Sequence, residues 1–180
     1  SRQPFKLMRT PDKDGNDKVE LMKKTYKKLK LECLVVLGGN GSQKTANLLR
    51  EEGLNIVSLP KTIDNDVMGT DHTPGYGSAA KFIAASVSEM LRDCAVYTVK
   101  AVTIIEIMGR HAGWLAASSA LLHAVGLKAP HLIYLPECEF SIDQFLNDVD
   151  QKKCSSAAIF AKNINKNVQI ESNFDKLTTS

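Results

Sequence analysis

The residues best suited to chemistry lie in one polar segment, Pro60–Ser78, with the sequence PKTIDNDVMGTDHTPGYGS. Its acid and amide side chains fall within eight positions: Asp64, Asn65, Asp66 and Asp71. The segment follows a short apolar run, residues 55–59, that predicts a buried strand. A carboxylate-rich loop at the carboxyl end of a strand is where open α/β sheets bind ligands. The alternative is an ordinary solvated loop, because Asp, Asn and Gly also form turns.

A glycine turn, GGNGS at residues 38–42, follows the apolar run 33–37, which predicts a strand buried on both faces. A helix is predicted after the turn, ending at Gly53. Strand, glycine turn and helix together present backbone N–H groups to an anion. The pattern G-x-x-x-x-G-K-[ST] fails for lack of its second glycine, and G-x-G-x-x-G fails because Gln43 or Lys44 replaces the third. A tight turn without a ligand is the alternative.

Two further strands end in turns that carry charged side chains. Residues 102–107 lead into Met108, Gly109 and Arg110, and residues 131–135 lead into Pro136 and Glu137. An arginine in such a turn can hold a phosphate or carboxylate in bidentate fashion. Several such turns at the carboxyl ends of strands indicate a ligand site more strongly than any one of them.

Helices are predicted between these strands, so that strand and helix alternate at least four times. The predicted helices cover residues 18–30, 79–95, 113–124 and 142–150, the last capped by Ser141, and a further strand is predicted at 156–160. The buried stripe predicted for the helix at residues 79–95 contains Ile83, Val87, Met90, Leu91 and Cys94. This alternation predicts an α/β fold with parallel sheets and crossover helices.

Composition narrows the class of protein. An apolar share of 43% supports a packed core, and a net charge of +3 gives no broad nucleic-acid footprint. The lysines of residues 18–30 form either a basic patch or a solvated helix face. Four cysteines without a C-x-x-C pair argue against a zinc site and fit a reducing cytoplasm. No signal peptide or membrane-length apolar run is visible, so we expect no membrane partner. The small net charge leads us to expect no nucleic-acid partner either.

The motifs GGNGS, PKTIDND and MGRHAGW, in this order, closely resemble the phosphofructokinase family over roughly residues 1–150. Family members have GGDGS, GTIDND or KTIDND, and MGR at these places. The resemblance implies three-layer, Rossmann-like α/β domains with the active site between them. It also implies transfer of a phosphoryl group to the 1-hydroxyl of fructose 6-phosphate in glycolysis. We expect residues 1–76 in the donor-phosphate domain and residues 77–180 in the sugar-phosphate domain.

The resemblance assigns roles to individual residues. Asp64 matches the catalytic base, Thr62 contacts substrate near the transferring group, and Asp66 supports the phosphate and magnesium region. The sugar phosphate is expected to contact Thr62 and Asp64 together with a second set: Met108, Gly109, Arg110 and Glu137, the last in a turn that lies at an effector site in some members. The donor phosphates are expected to contact the following residues: Arg2, Gly39, Asn40, Gly41, Ser42 and Lys61.

The sequence also departs from the family pattern. Asn40 stands where the family has a metal-binding Asp, so Mg²⁺ is expected as a cofactor without a metal ligand assigned in this chain. The family's later S-E-G motif and its first strand are missing. We therefore expect about half of a phosphofructokinase, inactive by itself, from a homo-oligomeric cytoplasmic enzyme. A non-catalytic nucleotide- or phosphate-sensing module is the alternative.

The phosphoryl donor is ambiguous at two positions. Gly41 is typical of family members that use ATP, whereas Lys61 is more frequent in those that use pyrophosphate. An Asp at position 41 would place bulk and charge where the α-phosphate of ATP must lie, and glycine leaves that space open. ATP is therefore the expected donor, with pyrophosphate as the alternative.

Overall fold

The computed structural model describes residues 8–96, 102–151 and 156–161, which divide into two compact units. The first unit contains the described residues up to Pro74 except Ile63–Asn65. The second unit contains Ile63–Asn65 and the described residues from Gly75 onward. Within the described part of the chain, no helix has the length and apolar character needed to cross a membrane.

The first unit is a parallel two-stranded sheet with two helices. Its elements are α1 (Lys18–Lys28), β1 (Leu34–Gly38), α2 (Asn40–Glu51) and β2 (Ile56–Pro60). The strands pair in register from Leu34 opposite Ile56 to Gly38 opposite Pro60. A core of Met8, Val19, Leu49 and Leu54 packs against the inner sides of these elements.

Local sequence explains where the two helices of the first unit begin and end. The Asp17 carboxylate caps α1 by accepting hydrogen bonds from the backbone N–H of Val19 and Glu20, at 2.8 and 3.4 Å. Gly53 follows α2 in a left-handed conformation, with φ +85°, and its N–H bonds to Arg50 O. The predicted glycine end of this helix is confirmed.

The prediction that the first strand is buried on both faces is wrong. Val35 and Leu37 in β1 are 49% and 63% exposed, and their partners Val57 and Leu59 in β2 are 46% and 45% exposed. Successive side chains of a strand point to opposite faces. The core covers the face that carries Leu34 and Ile56, and the opposite face is open.

The second unit is a parallel three-stranded sheet, in the order β3–β5–β4, with four described helices. Its elements are α3 (Tyr76–Cys94), β3 (Val102–Ile107), α4 (Trp114–Ser118), α5 (Leu121–Ala124), β4 (Leu132–Tyr134), α6 (Ile142–Asp150) and β5 (Ser156–Ala161). Val87, Ile107, Leu115 and Ile159 belong to one core cluster. Phe145 and Val149 belong to another. The predicted α/β fold with parallel strands is confirmed in both units.

Two details of the second unit differ from prediction. The helix predicted over residues 113–124 is divided into α4 and α5. Ser118 and Ser119 lie at the break, and their hydroxyls donate to the carbonyls of Leu115 and Ala116, at 2.7 and 2.6 Å. Such bonds compete with the helical ladder. Met90, predicted to be buried on α3, is 43% exposed, so this prediction is wrong.

The last described helix is fixed to the sheet by a polar contact. Ser141 caps α6 as predicted, with its hydroxyl accepting from Gln144 N–H at 3.4 Å. Tyr134, at the end of β4, donates its hydroxyl to the Asp148 carboxylate at 2.8 Å. Burial and, secondly, this carboxylate raise the pKa of Tyr134 above its ordinary value, because both disfavour the phenolate.

Candidate functional site

The glycine turn between β1 and α2 leaves the amino end of a helix open. Gly39 is the N-cap of α2, no side chain caps the helix, and its first turn contains no acidic residue. The leading N–H groups of a helix have no partner within it, and the helix dipole makes this end positive. The turn is therefore suited to an anion such as a phosphate group.

Close packing explains why glycine is needed at position 38. The side chain of Ser42, one turn into α2, stands where a Cβ on Gly38 would lie. Gly41 has the opposite environment, because a Cβ built there meets no heavy atom within 4 Å. The turn is thus tightly packed at Gly38 and open at Gly41, on the helical side.

The segment after β2 lies beside this turn. Lys61 N–H donates to the Gly38 carbonyl at 2.9 Å, which extends the pairing of the two strands. The side chain of Thr62 packs against Gly39, with its Oγ1 3.3 Å from the position of a Cβ there. The exposed Lys61 therefore adds a positive charge to the segment that adjoins the open helix end.

Asn40 joins the glycine turn to Asp66. Its amide nitrogen donates to Oδ2 of the Asp66 carboxylate at 2.8 Å and to the Asp66 carbonyl at 3.3 Å. Thr62 and Asp66 both belong to the first unit, on either side of Ile63–Asn65. The first unit therefore brings both residues to the glycine turn.

Sequence reasoning missed Gln43, which fixes the shape of the turn. Its side-chain nitrogen donates to the Gly38 carbonyl at 3.0 Å, and its oxygen accepts from the Ser58 hydroxyl at 2.6 Å. The bonds connect the end of β1, the first turn of α2 and β2. The sequence shows only a polar residue at a helix start, so nothing in the local pattern identifies this role.

Asp64 and Asn65 belong to the second unit. Asn65 is buried and has a left-handed backbone with φ +54°, which asparagine tolerates better than most residues. Oδ1 of Asp64 is a buried atom that accepts no hydrogen bond, although the residue has other interactions. The left-handed turn at Asn65 was also missed, and its signal was the Asp-Asn-Asp sequence.

The MGR turn follows β3 and presents two side chains to solvent around a buried glycine. Met108 is half exposed and Arg110 is exposed, while Gly109 between them has φ +147°, a conformation that favours glycine. The exposed guanidinium keeps its capacity to bind a phosphate or carboxylate.

Glu137 holds the segment that continues from the MGR turn. Its carboxylate accepts a hydrogen bond from Gly113 N–H at 2.7 Å, at the N-cap of α4. A Cβ on Gly113 would lie 2.8 Å from both Glu137 Oε2 and a Leu135 methyl carbon. The turn after β4 therefore packs directly on the loop after β3, within the second unit.

Gly113→Ala is expected to lower the free energy of unfolding by about 1–3 kcal/mol, because the added methyl group overpacks this contact. The measurement is urea unfolding of the full-length protein. Gly77→Ala in α3 is the matched control, since a Cβ there meets no heavy atom within 4 Å and alanine favours the helix. Equal stability of Gly113→Ala and Gly77→Ala would contradict the packing argument.

The structure tests whether the site fits a protein-held metal ion. In the described ranges, no group of three or more His, Cys, Asp and Glu side chains could hold one. Asn40 could offer a metal ion only its amide oxygen, because its amide nitrogen is a donor and is bonded to the Asp66 carboxylate. This donor set does not fit a Mg²⁺ ion bound by the described residues alone. Arg2, predicted to contact the donor, lies outside the described residues.

Parallel α/β units in which a glycine turn begins an uncapped helix, as in the first unit, are typical of phosphate-binding α/β proteins. Comparison with known proteins identifies the family within that class. The sequence matches the phosphofructokinase family over residues 5–178, and the chain belongs to this family.

Individual relatives have different donors in their names. An ATP-dependent 6-phosphofructokinase of Spirochaeta thermophila is 42% identical over 139 residues, covering 77% of this chain and 36% of that protein. A pyrophosphate–fructose 6-phosphate 1-phosphotransferase of Rhodospirillum rubrum is 45% identical over 121 residues, covering 64% and 30%. The crystal structure of a pyrophosphate-dependent phosphofructokinase from Marinobacter aquaeolei superposes with a TM-score of 0.65 at 34% identity, covering 81% and 40%. The chain thus spans about a third of the length of these two curated relatives.

Proposed function

We propose that this chain supplies part of the active site of a 6-phosphofructokinase that transfers a phosphoryl group from ATP to the 1-hydroxyl of fructose 6-phosphate. The observation that carries the proposal is the open, uncapped amino end of α2 on the glycine turn, with Lys61 and Thr62 beside it. Relatives named for phosphorylation of fructose 6-phosphate, one with ATP and one with pyrophosphate, support the acceptor and the reaction type.

The donor phosphates are proposed to bind the glycine turn. The N–H groups at the start of α2 donate to phosphate oxygens, and Lys61 and Arg2 add positive charge: the binding set is Arg2, Gly39, Asn40, Gly41, Ser42 and Lys61. Phosphoryl transfer depends mainly on positioning and on stabilising charge on the transferring oxygens. Mg²⁺ remains a prediction from the family resemblance, and no residue of this chain is assigned to it.

The acceptor side is proposed to use Asp64 as the general base, which takes the proton of the 1-hydroxyl as that oxygen attacks phosphorus. Thr62 contacts the substrate near the transferring group, and Asp66 supports the phosphate region. The sugar phosphate is assigned to the turns of the second unit: Met108, Gly109, Arg110 and Glu137. Residues 1–76, which include Thr62 and Asp64, are proposed to be part of the donor-phosphate domain, and residues 77–180 part of the sugar-phosphate domain.

Pyrophosphate is the second candidate donor, because Lys61 can neutralise either donor and a relative named for pyrophosphate is 45% identical. A cytoplasmic location is proposed from the unpaired thiols of Cys33, Cys94 and Cys138. Assembly into a homo-oligomer is retained as a prediction.

The test is phosphorylation of fructose 6-phosphate by the purified full-length protein, with ATP and pyrophosphate offered separately. Formation of fructose 1,6-bisphosphate, followed by ³¹P NMR, is the expected result. Calorimetry with each donor accompanies the assay. Donor binding without product would instead identify a phosphate-sensing module, and the absence of both would exclude the proposed donor site.

A further inference from the structure

We propose that Asn40 is a positioning residue whose side-chain amide takes the place of a divalent ion bound between the glycine turn and Asp66. We call the hydrogen bonds from the Asn40 amide to Asp66 the Asn40–Asp66 link. That this link lies beside the donor phosphates rests on the proposed function. The link itself depends only on the contacts of Asn40 and Asp66 within the first unit.

The orientation of the Asn40 amide follows from its partners. Both contacts, the Asp66 carboxylate at 2.8 Å and the Asp66 carbonyl at 3.3 Å, are hydrogen-bond acceptors. An ionised carboxylate and a carbonyl can only accept, so the NH₂ group must face them and the amide oxygen must point elsewhere. The amide therefore cannot offer its oxygen to a cation lying between Asn40 and Asp66 while its nitrogen holds Asp66.

The same bond occupies Oδ2 of the Asp66 carboxylate. A hydrogen bond to an ionised acceptor is stronger than a neutral one, and this bond is short. Mg²⁺ prefers oxygen ligands and gives up its water reluctantly, so a protein site needs carboxylates that face the ion. A divalent ion would have to break the amide–carboxylate bond and would gain one carboxylate.

An aspartate at position 40 would reverse this arrangement. Two carboxylates would then stand within a few ångströms of each other and repel, unless a cation lay between them. The turn would be held by an ion instead of by an amide. Asn40 therefore lets the glycine turn take its shape without a divalent ion between it and Asp66.

The experiment compares wild type, Asn40→Asp and Asn47→Asp in the full-length protein without donor or sugar. Asn47 is the control on α2, because its amide likewise donates to a carboxylate, that of Glu51 at 2.9 Å, and it too is exposed. Its oxygen accepts from the Arg50 guanidinium at 3.0 and 3.2 Å, so an aspartate there already faces a cation. Tm is measured in EDTA and in MgCl₂ at equal ionic strength. Mn²⁺ binding is measured by electron paramagnetic resonance.

Wild type is expected to have the same Tm in both buffers. Asn40→Asp is expected to melt lower in EDTA, to recover with Mg²⁺ and to bind Mn²⁺ roughly tenfold or more tightly than wild type, as the gain of a ligand implies. Asn47→Asp is expected to show no recovery. Asn40→Ala, which removes the link without adding charge, is expected to melt lower in both buffers.

Tight Mn²⁺ binding by wild type without donor would overturn the inference, and so would an Asn40→Asp protein that responds to Mg²⁺ no more than Asn47→Asp. If Asn40→Asp does not fold, the wild-type and Asn40→Ala measurements decide the question by themselves. These readouts contain neither fructose 6-phosphate nor donor. A protein that binds Mn²⁺ tightly and still phosphorylates fructose 6-phosphate would refute this inference and leave the proposed function intact.

Discussion

Asp64→Asn in the full-length protein is expected to lower kcat by about 10²–10⁴-fold, the usual contribution of a general base. The amide keeps the shape of the carboxylate but cannot take the proton of the attacking hydroxyl. Since ground-state contacts are largely preserved, KM for fructose 6-phosphate should change little. Steady-state kinetics with the preferred donor measure both constants.

Asp71→Asn is the matched control for this experiment, because Asp71 is an exposed acid of the same segment and has no assigned role. It is expected to retain kcat within about twofold, because the change removes an exposed charge to which no step of the reaction is assigned. A near-normal kcat in Asp64→Asn would refute the assignment of the base. An equal loss in both variants would indicate a general effect of negative charge in the segment.

Gly41→Asp is expected to lower kcat/KM for ATP by about tenfold or more relative to pyrophosphate, a change equivalent to about 1.4 kcal/mol in transition-state binding. A Cβ at position 41 meets no heavy atom within 4 Å, so the backbone there leaves room for a side chain to begin. Its carboxylate would then stand in the space assigned to the α-phosphate of ATP. Pyrophosphate lacks that phosphate, so it should be affected less. The measurement is the ratio of kcat/KM for the two donors.

Gly41→Ala separates bulk from charge, because it adds a small neutral group at the same place. It is expected to keep most of the activity with ATP. A wild-type protein that prefers pyrophosphate by tenfold or more would refute ATP as the donor. If Gly41→Asp used ATP as well as wild type, the steric and electrostatic argument about position 41 would be wrong.

The sequence was sufficient for most elements of the fold because their signals are local. A β-branched run predicts β3 over residues 102–107, where the structure has it. Ser141 marks the start of α6, and Gly53 marks the end of α2. Each signal acts through steric or hydrogen-bonding preferences of residues within a few positions.

The remaining features depend on residues that are far apart in the chain. The Asn40–Asp66 bond joins positions 26 apart, and the Gly113–Glu137 bond joins positions 24 apart. The local sequence around Asn40 or Glu137 does not indicate which residue it will bond to. The exposure of Leu37 likewise depends on which elements pack against the sheet, whereas its apolar character only indicates that burial would be favourable.

The open face of the β1–β2 sheet affects the solubility of the described part of the chain. Val35, Leu37, Val57 and Leu59 form paired apolar rows in contact with water. Such patches promote adhesion between molecules, and salts of the sulfate type strengthen this tendency. The substitutions Val35→Thr and Val57→Thr would keep the β-branched shape and make this surface more polar. Solubility can thus be adjusted on this face while the glycine turn at the end of β1 keeps its residues.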